Sequence, residues 1–247
     1  MTSPSLRVGY VPGATPAKWV RIWGERHPDA PLELVAVDAA DAAEAVRSGT
    51  VDLALLRLPT DVAGLAVIPL YEEATVAVVP KDHVITAVDE IALQDLHGEP
   101  VLLPHDDTLA WPDAPGAPVE HRPATTAEAI ELVAAGLGAL VVPQSLARLH
   151  HRKDLTYRPI TDAPPAPVAL AVAEGEQSEP VADFIGIARG RRASSSRGRD
   201  EPAPKRTARE KTLAKQAARA AAGKKANPGK SGGKGGVSRE RRSTRRR

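Results

Sequence analysis

The chain is 247 residues long, 42% hydrophobic and free of cysteine, with a formal net charge of +2. That length holds one large or two small domains with a sizeable core, and the missing cysteines exclude disulfides, thiolate metal sites and a cysteine nucleophile within it. The small net charge conceals a split: residues 1–188 carry 12 Lys/Arg against 27 Asp/Glu, a net −15, whereas 189–247 carry 21 against 4, a net +17.

An acidic globular part joined to a basic tail is therefore expected, with nucleic acid or another anionic surface as the tail's partner. No run of about 18 apolar residues occurs, so neither a membrane span nor a membrane partner is expected. MTSPSLRVGYV lacks a basic segment followed by a long apolar one. The expected location is cytoplasmic, with nucleoid association open to the tail.

Leu6–Val11 alternates and reads as a strand, Pro12–Ala14 as a turn, and Thr15-Pro16 as a helix start with a capping hydroxyl and a proline in the first turn. Trp19, Val20, Ile22 and Trp23 supply that helix's buried face, and Pro28 enforces its end. Leu32–Val37 is a second strand, Asp41–Ser48 a short helix closed by Gly49, and Val51–Leu56 a third strand. Leu65–Leu70 and Ala74–Val79 are further strand-like runs. The alternation predicts a parallel sheet with right-handed crossovers.

Past Lys81, Ala92–Leu96 reads as a helical turn, Pro100–Leu103 as a strand, His105–Pro118 as a polar, proline-rich loop and Val119–Arg122 as a strand. Thr125–Leu146 is the clearest unit of the chain. Thr125 and Glu128 stand at capping-box spacing, Ala129, Ile130, Leu132, Val133 and Leu137 form an apolar stripe, and Gly136 and Gly138 stop the helix. Ala139–Val142 is then a strand suited to burial on both faces, ended by Pro143, with Ser145 opening the next helix. Leu155–Ile160 and Val168–Ala173 are strands, and Glu179–Ile187 is the last helix.

From Arg189 the composition changes. SSSRGRDEPAPKR and KKANPGKSGGKGG have almost no large apolar residue to offset the entropy of ordering, so 189–247 is expected to be disordered. The alanine-rich Thr207–Ala222 between them is a helix that forms mainly on a partner. Lys205, Arg206, Arg209, Lys211, Lys215, Arg219, Lys224, Lys225, Arg241, Arg242, Arg245, Arg246 and Arg247 stand without stacking aromatics. They suit phosphate-backbone contact that does not read sequence; the plainer reading is a solvated, solubilising extension.

The first 188 residues resemble the effector-binding domain of LysR-type transcriptional regulators. The resemblance runs in order through Gly9, Thr15-Pro16, ERHPDAPLEL at Glu25–Leu34, AVRSGTVDLALLRLP at Ala45–Pro59, GLAVIPLYEEATVAVVPKDH at Gly64–His83, and ALVVP after the Ala-Gly-Leu-Gly turn. It implies an α/β fold of two Rossmann-like subdomains with two crossovers, similar to type II periplasmic binding proteins. The domain would cover 5–188, with subdomain I at 5–80 and 158–188, subdomain II at 81–157, and a small-molecule effector in the cleft between them. It further implies dimerisation, either with a second copy or with a full-length regulator. Here the chain starts directly at the effector-domain pattern, so a regulator without its N-terminal helix-turn-helix is expected.

Candidate effector contacts follow. Gly13, Ala14 and Thr15 lie at a helix start whose free N–H groups and dipole favour an anion, and Thr125 and Thr126 offer the same chemistry from the other subdomain. Each is equally readable as a structural cap. Arg57, followed by Pro59, sits where a central strand ends, the usual ligand side of an open α/β sheet, and could grip a carboxylate; a solvated arginine or an ion pair with Asp61 competes with that reading. His105 with Asp106 leaves a neighbouring strand toward the same side, where a plain loop role is the alternative.

Nothing assembles a nucleophile, a base and an orienting acid. Ser145 and Ser178 lie outside any G-x-S-x-G context, GGKGG within Ser231–Gly236 follows no strand, and His83, His97, His121, His150 and His151 lack metal-ligand spacing. No enzyme, cofactor or metal site is expected. The expected function is sensing of a small anionic metabolite in transcriptional regulation, with non-specific nucleic-acid binding by the tail. The alternatives are a nucleoid- or RNA-associated protein with a vestigial cleft, and a solute-binding protein.

Overall fold

The computed structural model of the chain describes residues 5–190 apart from 110, 112 and 114. The tail expectations, including the helix over Thr207–Ala222, lie outside the described residues.

Strand β1 (Leu6–Tyr10), helix α1 (Ala17–Arg26), strand β2 (Leu32–Ala36), helix α2 (Ala42–Arg47) and strand β3 (Leu53–Arg57) follow one another in the expected alternation. β1 lies between β2 and β3 and runs parallel to both. β4 (Leu65–Glu73) reaches this sheet only through β10 (Ala166–Ala173), which runs antiparallel between β3 and β4. The order is β2-β1-β3-β10-β4. All five residues of β3 are buried, so its apolar run does not alternate.

The first core lies around this sheet. Trp23 of α1 is buried, its indole Nε1 donates to Ala30 O at 2.9 Å, and its ring faces Phe184 of α5 (Glu179–Ala188) with centroids 6.1 Å apart. Trp19, Val20 and Ile22, expected in the buried face of α1, are only half-buried. Thr15 does not cap α1. Pro16 stands at the N-cap, and its carbonyl, one residue later than expected, accepts the first helical N–H groups, those of Trp19 and Val20.

The second sheet comprises β5 (Thr75–Pro80), β6 (Pro100–Leu102), β7 (Ala117–Pro118), β8 (Ala139–Pro143) and β9 (Leu155–Pro159), in the order β7-β6-β8-β5-β9. Its two faces alternate as strand geometry requires. Val76, Val78, Leu140 and Val142 pack against Ile130 and Val133 of α3 (Thr126–Ala134) and Leu146 of α4 (Gln144–Leu149). Ala77, Val79, Ala139 and Val141 face Ile85, Leu96, Leu109 and Ile160. Burial on both sides explains why β5 and β8 read as unbroken apolar runs. α3 is capped by Thr125, whose hydroxyl accepts from Glu128 N at 3.1 Å, while the Glu128 carboxylate accepts from Ala124 N at 2.7 Å. Gly136, at φ +79°, turns the chain out of α3.

Several boundaries differ from expectation. Val119–Arg122 is not a strand; Ala117–Pro118 pairs with β6 instead, Pro118 having no N–H for the ladder. Beyond it, Arg122 turns back to donate to the Leu103 and Pro104 carbonyls. The chain leaves the first sheet at Ala74 rather than at 80, because Glu73 still pairs with β10 while Thr75 already pairs with Pro143 of β8. It returns after Pro159 rather than at 158.

Phe184 is wholly buried between α5 and Trp23. Phe184→Ala is expected to lower unfolding free energy by about 3–5 kcal/mol, seen as a lower urea midpoint in tryptophan fluorescence with an unchanged slope.

Candidate functional site

The buried polar groups converge where β3 and β4 end. Beyond β1 the chain turns through Pro12–Gly13–Ala14, with Ala14 N donating to Val11 O at 3.1 Å. Gly13 adopts φ +80°, a conformation that disfavours a side chain. Arg57 closes β3 with only 3% of its side chain exposed, and its Nη1 lies 3.4 Å from Oε2 of Glu73, the last residue of β4. Arg57 Nη2 donates to Ser145 Oγ at 2.7 Å and to Pro12 O at 3.2 Å. The Ser145 hydroxyl in turn donates to Glu73 Oε2 at 2.6 Å.

This arrangement neutralises a guanidinium taken out of water. An isolated buried charge is costly, and removing one partner of such a pair typically destabilises by several kcal/mol. Glu73 supplies the countercharge, and the Ser145 backbone N–H adds a further donor to it at 3.3 Å. Arg57 Nε and Nη1 are buried without a hydrogen-bond partner. The Tyr71 hydroxyl is held above its ordinary pKa by burial and by the nearby Glu73 carboxylate, with Arg57 opposing. Arg57 does not pair with Asp61. The Asp61 carboxylate lies 3.2 Å from Arg47 instead.

A second cluster forms at the start of α3. Thr126 is buried and donates to Asp106 Oδ1 at 2.9 Å, so a carboxylate of the protein already serves this helix end. His105 is exposed, and its backbone N–H donates to Pro123 O at 2.9 Å. Thr125 and Thr15 are exposed, Ala14 is buried, and Pro59 is exposed beyond Arg57. In the following loop the Thr108 hydroxyl and the Trp111 indole N–H are buried without partners. Among the described residues no hydrogen bond or ion pair joins this cluster to Arg57.

Gly13 and Arg57 are therefore brought together, as are Asp106 and Thr126, while Thr15 contributes no side-chain bond. Glu73 and Ser145 are the residues that sequence reasoning missed. The available signal for Glu73 was a carboxylate at the point where the chain changes sheets; Ser145 was legible only as a helix start. Among the described residues no His/Cys/Asp/Glu group is placed to hold a metal ion. The tail cations from Lys205 to Arg247 lie outside the described residues.

Burial raises the Asp107 carboxyl above its usual pKa, against the Leu109 N–H that donates to it. The folded state thus prefers the protonated acid, and ionisation costs stability as pH rises through and above the ordinary value. Asp107→Asn, which keeps the acceptor, should gain stability relative to the parent as pH rises from 4 to 7 in urea titrations; a constant difference would contradict this.

The family profile described as the LysR substrate binding domain matches residues 2–193. A probable hydrogen peroxide-inducible genes activator of Mycobacterium leprae is 30% identical over 154 residues, 58% of this chain and 50% of its own length. The Hca operon transcriptional activator HcaR of Escherichia coli is 28% identical over 206 residues, 76% of this chain and 68% of its own. This chain thus spans only about half the length of the M. leprae relative. The effector binding domain of BenM with its effector benzoate superposes with a TM-score of 0.61 at 22% identity, covering 75% of this chain and 90% of that one. The two-sheet fold agrees with that of the BenM domain, and with the profile match over residues 2–193 the chain belongs to the LysR substrate binding domain family.

Proposed function

We propose that this chain is the sensing part of a cytoplasmic transcriptional regulator, taking a small anionic metabolite at Arg57, and that its basic tail contacts nucleic-acid phosphates without reading sequence. The observation that carries the first half is the guanidinium at the end of β3, whose Nε and Nη1 are buried without a hydrogen bond while Nη1 lies 3.4 Å from Glu73 Oε2. Such donors suit a carboxylate. Gly13, lacking a side chain, lets the Ser145 hydroxyl sit against Arg57, so an anion taking that donor would displace the hydroxyl. Benzoate, the effector of the BenM domain, is itself a carboxylate. Glu73 makes the site nearly neutral overall, so the effector gains from hydrogen bonds more than from net charge.

The chain contains no cysteine, so no thiol within it takes part in the sensing proposed here. The curated relatives are regulators rather than enzymes, and the chain works as a binding module, as a homodimer or paired with a full-length regulator. No described helix is long and apolar enough to cross a membrane. The tail's 21 Lys/Arg against 4 Asp/Glu carry the second half.

Thermal denaturation against a panel of small carboxylates, phosphates and neutral analogues tests the site. At least one carboxylate should raise the Tm of the parent and lose that effect in Arg57→Met; no anion doing so, or an equal shift in the variant, overturns the reading. Fluorescence anisotropy with unrelated DNA duplexes tests the tail. The full chain should bind each alike, with a log–log salt slope of roughly −0.9 per phosphate neutralised, and a chain ending at 190 should not bind. Equal binding by both chains would place the contact elsewhere.

A further inference from the structure

The polar knot at Arg57 is not contained within one subdomain. Arg57 and Glu73 end strands of the first sheet, whereas Ser145 stands in α4, whose Leu146 and Ala147 belong to the core of the second. The Ser145 hydroxyl has one proton to give and lone pairs to receive with. It gives to Glu73 Oε2 at 2.6 Å and receives from Arg57 Nη2 at 2.7 Å, so both charges fix its orientation. The neighbouring Gln144 N–H donates to Ala74 O at 2.9 Å, which brings the start of α4 down onto the crossover.

Gly13 forms the other wall of this seat. A Cβ built on it would lie 2.6 Å from Ser145 Oγ, 2.9 Å from Arg57 Nη2 and 3.2 Å from Leu146 Cδ2. The start of α4 therefore occupies the space that any other residue at position 13 would claim. The two crossovers run side by side below it. One is the single residue Ala74 between β4 and β5, and the other is the stretch between β9 and β10. Thr75 joins them, donating through its hydroxyl to Pro164 O at 2.6 Å and accepting from Ile160 N at 3.0 Å.

We infer that Ser145 is an inter-subdomain latch, seated in a socket made by Gly13, Arg57 and Glu73. With the hydroxyl in the socket, the second subdomain is fixed to the first beside the Ala74 crossover, where the Gln144 N–H also holds Ala74 O. With the hydroxyl withdrawn, Arg57 and Glu73 remain as a direct pair within the first subdomain, so both charges stay compensated, and the narrow pair of crossovers with the Gln144–Ala74 bond is what constrains the second. The latch thus has two electrostatically acceptable states. An anion that takes Arg57 Nη2 as well as the Nε and Nη1 proposed above competes with Ser145 for that donor. The latch itself needs no ligand.

Because the chain has no cysteine, Lys18→Cys on α1 and Lys153→Cys beyond α4, both exposed positions, provide two unique spin-label sites, one on each subdomain. Double electron–electron resonance on the full chain, with no anion added beyond buffer, should give one narrow distance population in the parent. Ser145→Ala removes the hydroxyl and leaves both charges, and Gly13→Ala crowds the hydroxyl at 2.6 Å together with Arg57 Nη2 at 2.9 Å. Each should add a second population at longer distance, while circular dichroism shows a folded protein. If both variants fold and keep the parent's single population, the latch is overturned; a lower Tm with an unchanged distribution makes Ser145 a packing residue only. Since no effector enters the measurement, it stands or falls separately from the effector reading.

Discussion

A guanidinium buried at the end of a central strand has to find its counterion and its hydrogen-bond acceptors within reach, and the strand crossing answers that need. Arg57 lies on β3, Glu73 on β4 and Ser145 on α4, three elements far apart in sequence. They meet because the chain changes sheets immediately after Glu73, so the carboxylate that ends the first sheet lies beside the helix that follows β8. Moving the crossing by a few residues would leave the arginine without a partner and the carboxylate facing solvent. The position of the crossing and the charge pair therefore constrain one another.

The same arrangement explains the polarity of the site. Both helix starts that sequence reasoning offers as anion seats are modified by the protein's own groups. Asp106 occupies the neighbourhood of the α3 start through Thr126, and Pro16 replaces Thr15 at the start of α1. The donors left over belong to Arg57, not to the helix dipoles. A ligand taken at Arg57, as proposed, would meet a side chain whose position depends on packing at two strand ends and a helix start, a more demanding geometry than a single capped helix.

Most of the architecture was legible in the residues. The capping box at Thr125, the turn after α3, the apolar run of β8 and the alternation of the first three strands each follow from local physics, and the structure shows them within one or two residues. What local pattern cannot say is which sheet an apolar run joins. Ala74–Val79 and Val168–Ala173 read simply as strands, yet the strands found there, β5 and β10, are each the antiparallel member of their sheet. Ser145 and Glu73 stayed out of view for the same reason, since their roles arise only where distant elements meet. Arg57 could be singled out because a cation ending an apolar strand is unusual in itself, whereas its partner could not, and Asp61 was the nearer carboxylate in sequence.

The strand order also bears on how the molecule is made. Residues 75–159 form the second sheet without a break, while the first sheet is split around them. Among the described residues its β4 pairs with β10 alone, and Glu73 pairs with Ala166, 93 residues later. A ribosome therefore releases β4 as an unpaired edge and must synthesise the whole inserted sheet before the strand that covers it exists. The inserted half is complete when the flanking half is still open, so closure of the outer sheet is the last step of assembly and carries the largest loop-closure entropy.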